Sequence, residues 1–144
     1  MKNIVVTLAL AALVILGYSF KSSSEISPGT QEISFYKGSL KEAMVRARKE
    51  KKIIFLDIYA VWCGPCKLLK NTSFKDKNVS DYFNKNFVNL EIDGEKGEGK
   101  ELVKKYGLKG YPSLLFIDSQ GNIINKSLGY YDGKELLKIA KGLK

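Results

Sequence analysis

The residues whose type and spacing most directly indicate chemistry are two cysteines, Cys63 and Cys66, separated by Gly64 and Pro65. An apolar run at residues 53–59 precedes them and predicts a buried strand, and the stretch after them predicts a helix. A helix N-terminus presents unpaired N–H groups and the positive end of the helix dipole, so a thiolate there is stabilised and its pKa falls. We therefore expect Cys63 to be an exposed nucleophile and Cys66 to be shielded.

The chemistry expected from this pair is thiol–disulfide exchange. A mixed disulfide formed between Cys63 and a partner can be resolved by Cys66, which leaves a Cys63–Cys66 disulfide. Pro65 suits the first helical turn because it has no N–H to leave unpaired and its φ is fixed. The pair and its position therefore predict a redox site.

Three other interpretations of the cysteine pair are weaker. A closed zinc site of Cys and His needs four ligands, and this chain has two cysteines and no histidine. A structural disulfide between Cys63 and Cys66 would close a very short loop, and the stabilisation grows with loop length. Two inert buried cysteines are hard to reconcile with Gly-Pro between them at a helix start. No metal is therefore expected.

Asp57 is the unusual residue of the predicted strand, six positions before Cys63. Strands that are apolar throughout are typical of central strands covered by helices, so burial should raise the pKa of this carboxyl group. A carboxyl group tuned toward neutrality could shuttle the proton of the resolving thiol. An Asp paired with a nearby Lys, or one that reaches the strand end, is equally compatible with the sequence.

The first 32 residues differ from the rest in composition. Residues 1–19 combine a short basic start with an apolar run of about fifteen residues, which is typical of a signal peptide and short of the roughly twenty of a membrane span. We expect a cleaved secretory signal, with an uncleaved N-terminal anchor as the alternative. Residues 20–32 are polar and rich in Ser, Pro and Gly, which predicts a flexible linker and leaves residues 33–144 as one folded domain.

Two features of the sequence could suggest an anionic ligand, but each is a weak signal. The net charge is +9, but no basic run with interleaved aromatic residues marks a nucleic-acid surface, so the charge is interpreted as solvated surface. Residues 94–100 match the G-x-x-x-x-G-K part of a phosphate-binding loop. Glu101 replaces the Ser or Thr of that motif, and two further glutamates in the loop would repel phosphate. Neither a nucleotide nor a nucleic-acid partner is expected.

The hydrophobic pattern and the capping signals predict the element order β-α-β-α-(α)-β-α-β-β-α. The expected strands are residues 33–36, 53–59, 87–93, 114–117 and 123–128. The expected helices begin at the Ser39 capping box, after Cys63, after Asp76, near residue 100 and after Asp132.

With this order, the chain resembles the thioredoxin family over nearly all of residues 33–144. The matching residues are Asp57, Trp62 to Lys67, Tyr106 to Leu108, Tyr111 to Ser113, and Gly129. The resemblance implies an α/β thioredoxin fold, with a central mixed β-sheet flanked by helices on both faces. It implies no metal and no organic cofactor.

The resemblance also implies a role for each site residue. Cys63 would be the attacking thiolate, Cys66 the resolving thiol, and Asp57 the buried carboxyl group that assists proton transfer at Cys66. Tyr111–Pro112 would be a cis peptide, which costs little only before proline, and Pro112 would face the disulfide. The substrate-binding residues would be Trp62, Gly64, Pro65, Tyr111, Pro112 and Gly129.

The sequence departs from cytoplasmic thioredoxins in three ways. Asn89 stands near the place of their Lys, so a Lys–Asp charge pair is left open. Tyr111 replaces the usual small or β-branched residue before the proline. The leader is also unlike theirs, and residues 57–63 and 71–74 look closer to the thioredoxin-like domains of exported thiol–disulfide interchange proteins.

The expected function is an exported, periplasmic and monomeric thiol–disulfide oxidoreductase that reduces disulfides of protein substrates. It would be soluble after signal cleavage or tethered by an uncleaved N-terminal helix. An upstream electron donor, such as a membrane protein, would have to re-reduce it in an oxidising compartment. The alternatives are an oxidant or isomerase that donates disulfides, and a non-enzymatic module that binds a partner around Tyr111 and Pro112.

Overall fold

The computed structural model describes residues 32–143. The predicted leader and almost all of the predicted linker lie outside this range and stay predictions. Within the described range, each helix is too short or too polar to cross a membrane.

Among residues 32–143, five α-helices and four strands follow the predicted order, without its first strand. The helices are α1 (Leu40–Glu50), α2 (Gly64–Asn71), α3 (Lys77–Asn86), α4 (Glu98–Lys105) and α5 (Gly133–Lys141), with a 3₁₀ turn at Ser73–Lys75 between α2 and α3. The strands are β1 (Ile53–Tyr59), β2 (Phe87–Asp93), β3 (Ser113–Ile117) and β4 (Ile123–Leu128).

The strands form one mixed sheet in the order β2-β1-β3-β4. β1 pairs in parallel with β2 and antiparallel with β3, and β4 runs antiparallel to β3. β1 is therefore a central strand, and its five interior residues are buried. The predicted thioredoxin fold, with a central mixed sheet, is confirmed.

Helices cover both faces of this sheet, as predicted. Alternate residues of β1 point to opposite faces, which gives the protein two cores. Leu56 packs with α1 and α4 in one core, and Phe55 packs with α2, α3 and α5 in the other. Asp57, two residues after Phe55, lies on the Phe55 face.

The helix starts follow from local capping. Ser39 and Glu42 form a capping box at α1, and Asp132 and Glu135 form another at α5. The side chain of Asp76 accepts hydrogen bonds at the start of α3. Each box satisfies backbone N–H groups that have no partner within the helix, which explains why these starts were predictable.

The strand predicted at residues 33–36 is wrong. This segment makes a single bridge to β2, between Tyr36 and Leu90, in which the Tyr36 N–H donates to the Asn89 carbonyl at 2.7 Å. The Ser34 N–H donates instead to the side chain of Asn84. Other backbone N–H groups of this segment donate to a side chain and to the 3₁₀ turn. The segment therefore lies along the outer edge of β2 without joining the hydrogen-bond ladder of the sheet.

Candidate active site

Cys63 and Cys66 form a disulfide at the start of α2, with Cα atoms 5.3 Å apart. Cys63 is the N-cap of the helix, and its sulfur accepts a hydrogen bond from the Cys66 N–H at 3.1 Å. Pro65 occupies the first turn, as predicted. A Cβ built on Gly64 would meet no atom within 4 Å, so the chain between the cysteines is open to an approaching partner.

The prediction that Cys63 is exposed is wrong for this oxidised form. Cys63 is 2% exposed and Cys66 is 7% exposed. Their sulfurs are joined to each other, and both residues pack against Ala60 and Tyr111. The residue before Cys63, Trp62, is by contrast 65% exposed.

Asp57 is buried on β1, and its Oδ1 has no hydrogen-bond partner among the described residues. Burial, together with the negative charge of Glu91, raises its pKa to about 7, and the positive charge of Lys70 opposes both. Lys70 donates its hydrogen bond to Glu91, at 2.8 Å, rather than to Asp57. A buried carboxyl group that titrates near neutrality can accept or donate a proton at working pH.

A cavity of about 170 Å³ connects Asp57 with the resolving cysteine. A water molecule occupies about 30 Å³ in the liquid, so the cavity has room for water between the carboxyl group and the Cys66 sulfur. Its lining residues are Asp57, Tyr59, Ala60, Val61, Cys66, Lys67, Lys70 and Glu91. Cys63 is not among them, so Asp57 lies on the Cys66 side of the disulfide.

The possible Lys–Asp charge pair is replaced by a different arrangement. Asn89 lies opposite Phe55 in the β1–β2 register, and its amide donates to the Asn84 side chain at 3.2 Å. The residue opposite Asp57 is Glu91. A carboxyl group, rather than an ammonium group, therefore neighbours Asp57 on β2.

The predicted substrate-binding residues lie together on the other side of the disulfide. Tyr111–Pro112 is a cis peptide, as predicted. The Tyr111 ring meets the Trp62 ring edge-on, with centroids 5.9 Å apart. The Gly129 N–H donates to the Pro112 carbonyl at 2.8 Å, and its φ of 96° is one that glycine adopts without strain.

The loop after β2 also takes part in the site, which was not predicted. The Trp62 indole N–H donates to the Glu95 carboxylate at 3.1 Å. A Cβ on Gly94 would lie 2.5 Å from the Tyr111 ring, so this glycine permits the loop to pack on it. The position of this loop could have been anticipated, because β1 and β2 run parallel and their carboxyl ends lie at the same edge of the sheet. The first glycine of the apparent phosphate motif thus has a packing role.

Further apolar side chains, close in sequence to the site residues, are exposed and were not predicted. Val61, Leu68, Leu128 and Tyr130 are exposed. Within residues 32–143, no group of three or more His, Cys, Asp or Glu side chains is arranged to hold a metal ion. The chemistry that this arrangement supports is that of the sulfur pair and its buried acid.

Comparison with known proteins agrees with this geometry. The family model described as a thioredoxin-like domain matches residues 40–144. A thiol:disulfide interchange protein, DsbD, from Colwellia psychrerythraea is 31% identical over 135 residues, which cover 88% of this chain and 22% of that protein. The chain thus spans about a fifth of the length of this relative.

Two solved structures are similar over most of the described residues. A Bacteroides thetaiotaomicron protein, provisionally described as a disulphide-isomerase, has 51% identity and a TM-score of 0.70, covering 78% of this chain and 93% of that one. The C-terminal domain of Neisseria meningitidis DsbD in the oxidised form has 26% identity and a TM-score of 0.63, covering 78% and 99%. On these matches and on its fold, the chain belongs to the thioredoxin-like family.

Proposed function

We propose that this protein is a thiol–disulfide oxidoreductase that reduces disulfides of protein substrates through Cys63 and Cys66. One observation carries the proposal: Cys63 caps α2, and Cys66, its disulfide partner, shares a cavity with Asp57, a buried acid whose pKa is raised to about 7. A purely structural disulfide would gain nothing from a titrating acid beside it. The thiol:disulfide interchange relatives support the same chemistry.

The reaction consists of two exchanges at sulfur. The Cys63 thiolate attacks one sulfur of the substrate disulfide, which forms a mixed disulfide and releases the other substrate sulfur as a thiolate. Cys66 then passes its proton toward Asp57, and its sulfur attacks Cys63. The Cys63–Cys66 bond forms, the bond to the substrate breaks, and the second substrate thiolate leaves. Two electrons pass from the dithiol to the substrate.

The aromatic side of the site would hold the substrate chain. Trp62 and Tyr111 supply apolar area beside Cys63, and Gly64 leaves open space above the disulfide. Pro112 and Gly129 complete this surface. Aromatic rings bury much area with few rotatable bonds, which suits recognition of different protein substrates.

We further propose that the protein acts in the periplasm as a monomer, exported by its leader and either released or tethered there. Disulfides persist in such a compartment, so a reductase needs a partner that supplies electrons. A membrane electron donor is the partner class we infer, because electrons for a reductase in an oxidising compartment have to be supplied from outside that compartment.

The first test is the equilibrium reduction potential of the Cys63–Cys66 pair in a glutathione series. A value near −270 mV, that of thioredoxin, is expected of a reductase. A value near −120 mV, that of a strong periplasmic oxidant, would contradict the reductase assignment. Cys66→Ser should accumulate mixed disulfides with substrates, whereas the control Cys63→Ser should accumulate none.

Disulfide isomerisation is a second candidate, because the similar Bacteroides thetaiotaomicron structure is described in those terms. An isomerase should restore activity to a scrambled disulfide protein without a net change in its disulfide number. If the variant with both Cys63→Ser and Cys66→Ser keeps its cellular function, the protein is instead a binding module.

A further inference from the structure

Glu91 is a charged residue of the dithiol site that the Cys-Gly-Pro-Cys motif does not indicate. It is the register partner of Asp57 across the parallel β1–β2 pair, where neighbouring strands lie about 4.8 Å apart. The two side chains leave the sheet on the same face and line the same cavity as Cys66. The Glu91 side chain is only 13% exposed, so solvent screens its charge incompletely.

Two lysines from different parts of the chain hold Glu91. Lys70 of α2 donates to one carboxylate oxygen at 2.8 Å, and Lys37 of the segment along β2 donates to the other at 3.2 Å. Lys70 lies one helical turn after Cys66 and also lines the cavity. Its ammonium group is therefore directed to Glu91 although Asp57 is close enough to affect its pKa.

Among the groups around Asp57, Glu91 and Lys70 are the two charges that affect its pKa. On β3, its partner is the apolar Leu114. On β1, Tyr59 lines the cavity and lies under Lys70, whose ammonium group is 5.9 Å from the ring centroid. On α2, the cavity is lined by Cys66, Lys67 and Lys70.

We propose that Glu91 is a positioning residue of the resolving step, because it binds Lys70 and places a second negative charge beside Asp57, which makes Asp57 basic enough to take the Cys66 proton. This inference rests on the proposed function. A carboxylate of ordinary acidity is a poor acceptor for a thiol proton, since the free Cys pKa is about 8.5 and that of Asp about 3.9. Proton transfer is more efficient when the two values approach each other.

The arrangement requires opposite effects from two substitutions. Glu91→Gln removes the negative charge and frees Lys70 to approach Asp57, and both changes make Asp57 more acidic. Lys70→Met removes the opposing positive charge and leaves Glu91 less neutralised, and both changes make Asp57 less acidic. A merely structural role for the ion pair would move Asp57 in one direction or not at all.

The experiment is a carbon-13 NMR titration of the Asp57 carboxyl group in the full-length reduced protein. Glu91→Gln should lower the titration midpoint by about one pH unit, and Lys70→Met should raise it. Asp81→Asn is the matched control, because it removes one carboxylate from an exposed ion pair with Lys77 on α3, and it should leave Asp57 unchanged. The same variants are then assayed for the rate at which Cys66 resolves a mixed disulfide with glutathione. The assay covers about pH 5–9, a range that spans the pKa values of Asp57 and of the thiols.

The expected outcome is that the pH profile of the resolving rate shifts with the Asp57 midpoint, with about a three- to tenfold slower resolution by Glu91→Gln near pH 7. Midpoints that do not move in opposite directions would overturn the inference. So would opposite shifts of Asp57 that leave the resolving rate unchanged. Failure of the proposed function would appear separately, as an oxidising potential or absent exchange in the unsubstituted protein.

Discussion

Beside Cys66 the site is a charged cavity, whereas beside Cys63 it is open and aromatic. The charged side consists of Asp57, Glu91 and Lys70, contributed by β1, β2 and α2. The open side is built from the rings of Trp62 and Tyr111. In the proposed function, handling of the proton and contact with the substrate are therefore assigned to different elements. Each can be changed by substitution without the other, and four predictions test that separation.

The largest effect is expected from Asp57→Asn on the charged side. The folded-state pKa of Asp57 lies above its unfolded value, so between about pH 4 and 7 the unfolded state binds fewer protons and stability falls as pH rises. Above pH 7, the buried charge costs up to about 4 kcal/mol, since one pKa unit corresponds to about 1.36 kcal/mol. Urea unfolding should therefore show that Asp57→Asn stabilises the oxidised protein at pH 8.

The difference between this variant and the unsubstituted protein should vanish near pH 3, where both states are protonated. Asp81→Asn, which removes an exposed carboxylate, should show no stability difference that grows with pH. A stability difference that is constant from pH 3 to 8 would contradict the titration of Asp57. The variant should also resolve mixed disulfides more slowly, because the proton acceptor is lost.

An intermediate effect is expected at Gly94, where the loop after β2 meets the open side. A Cβ there would lie 2.5 Å from the Tyr111 ring and 2.9 Å from Ile58, so Gly94→Ala must displace one of them. The cost should be about 1–3 kcal/mol of unfolding free energy, as for overpacking. The control is Gly110→Ala, whose new Cβ would make an ordinary contact with Leu128 at 3.5 Å. Equal urea midpoints for the two variants would show that the loop after β2 moves aside without a cost in unfolding free energy.

Trp62→Ala should weaken substrate contact and leave the proton chemistry intact. The exposed ring is no longer available for an aromatic contact with the substrate, which is worth about 0.5–1.5 kcal/mol, or about a two- to thirteenfold rise in KM for a disulfide-containing protein substrate. The pH profile of the resolving step should not change. A shifted profile would show that the two sides of the disulfide are coupled.

The smallest effect is expected from Glu95→Gln, which keeps an oxygen acceptor for the Trp62 indole and removes the charge. The KM should change by less than about twofold, since an exposed hydrogen bond contributes little. Burial, Glu95 and Asp93 together raise the pKa of Tyr111, so the variant should lower that pKa. An ultraviolet titration that shows no fall would mean that Glu95 does not act on Tyr111.

The parts of the fold that depend on neighbouring residues were predictable from the sequence. The limits of β1 follow from a continuous apolar run, and the start of α5 follows from its Asp132 capping box. Glu91 could not be placed beside Asp57 in this way, because the pairing depends on the register of strands more than thirty residues apart. The burial of Cys63 was missed for a similar reason, since Tyr111 reaches it from a distant loop.

The segment at residues 33–36 has a consequence for how molecules of this protein meet one another. An unpaired strand edge is a template on which another chain can extend a sheet. The segment occupies that position along β2, so in the described sheet β4 is the exposed edge. β4 carries Lys126 and pairs with β3 through an irregular register at Ile117, two features that discourage edge-to-edge aggregation. Resistance to aggregation thus depends in part on a stretch that contributes only one bridge to the sheet.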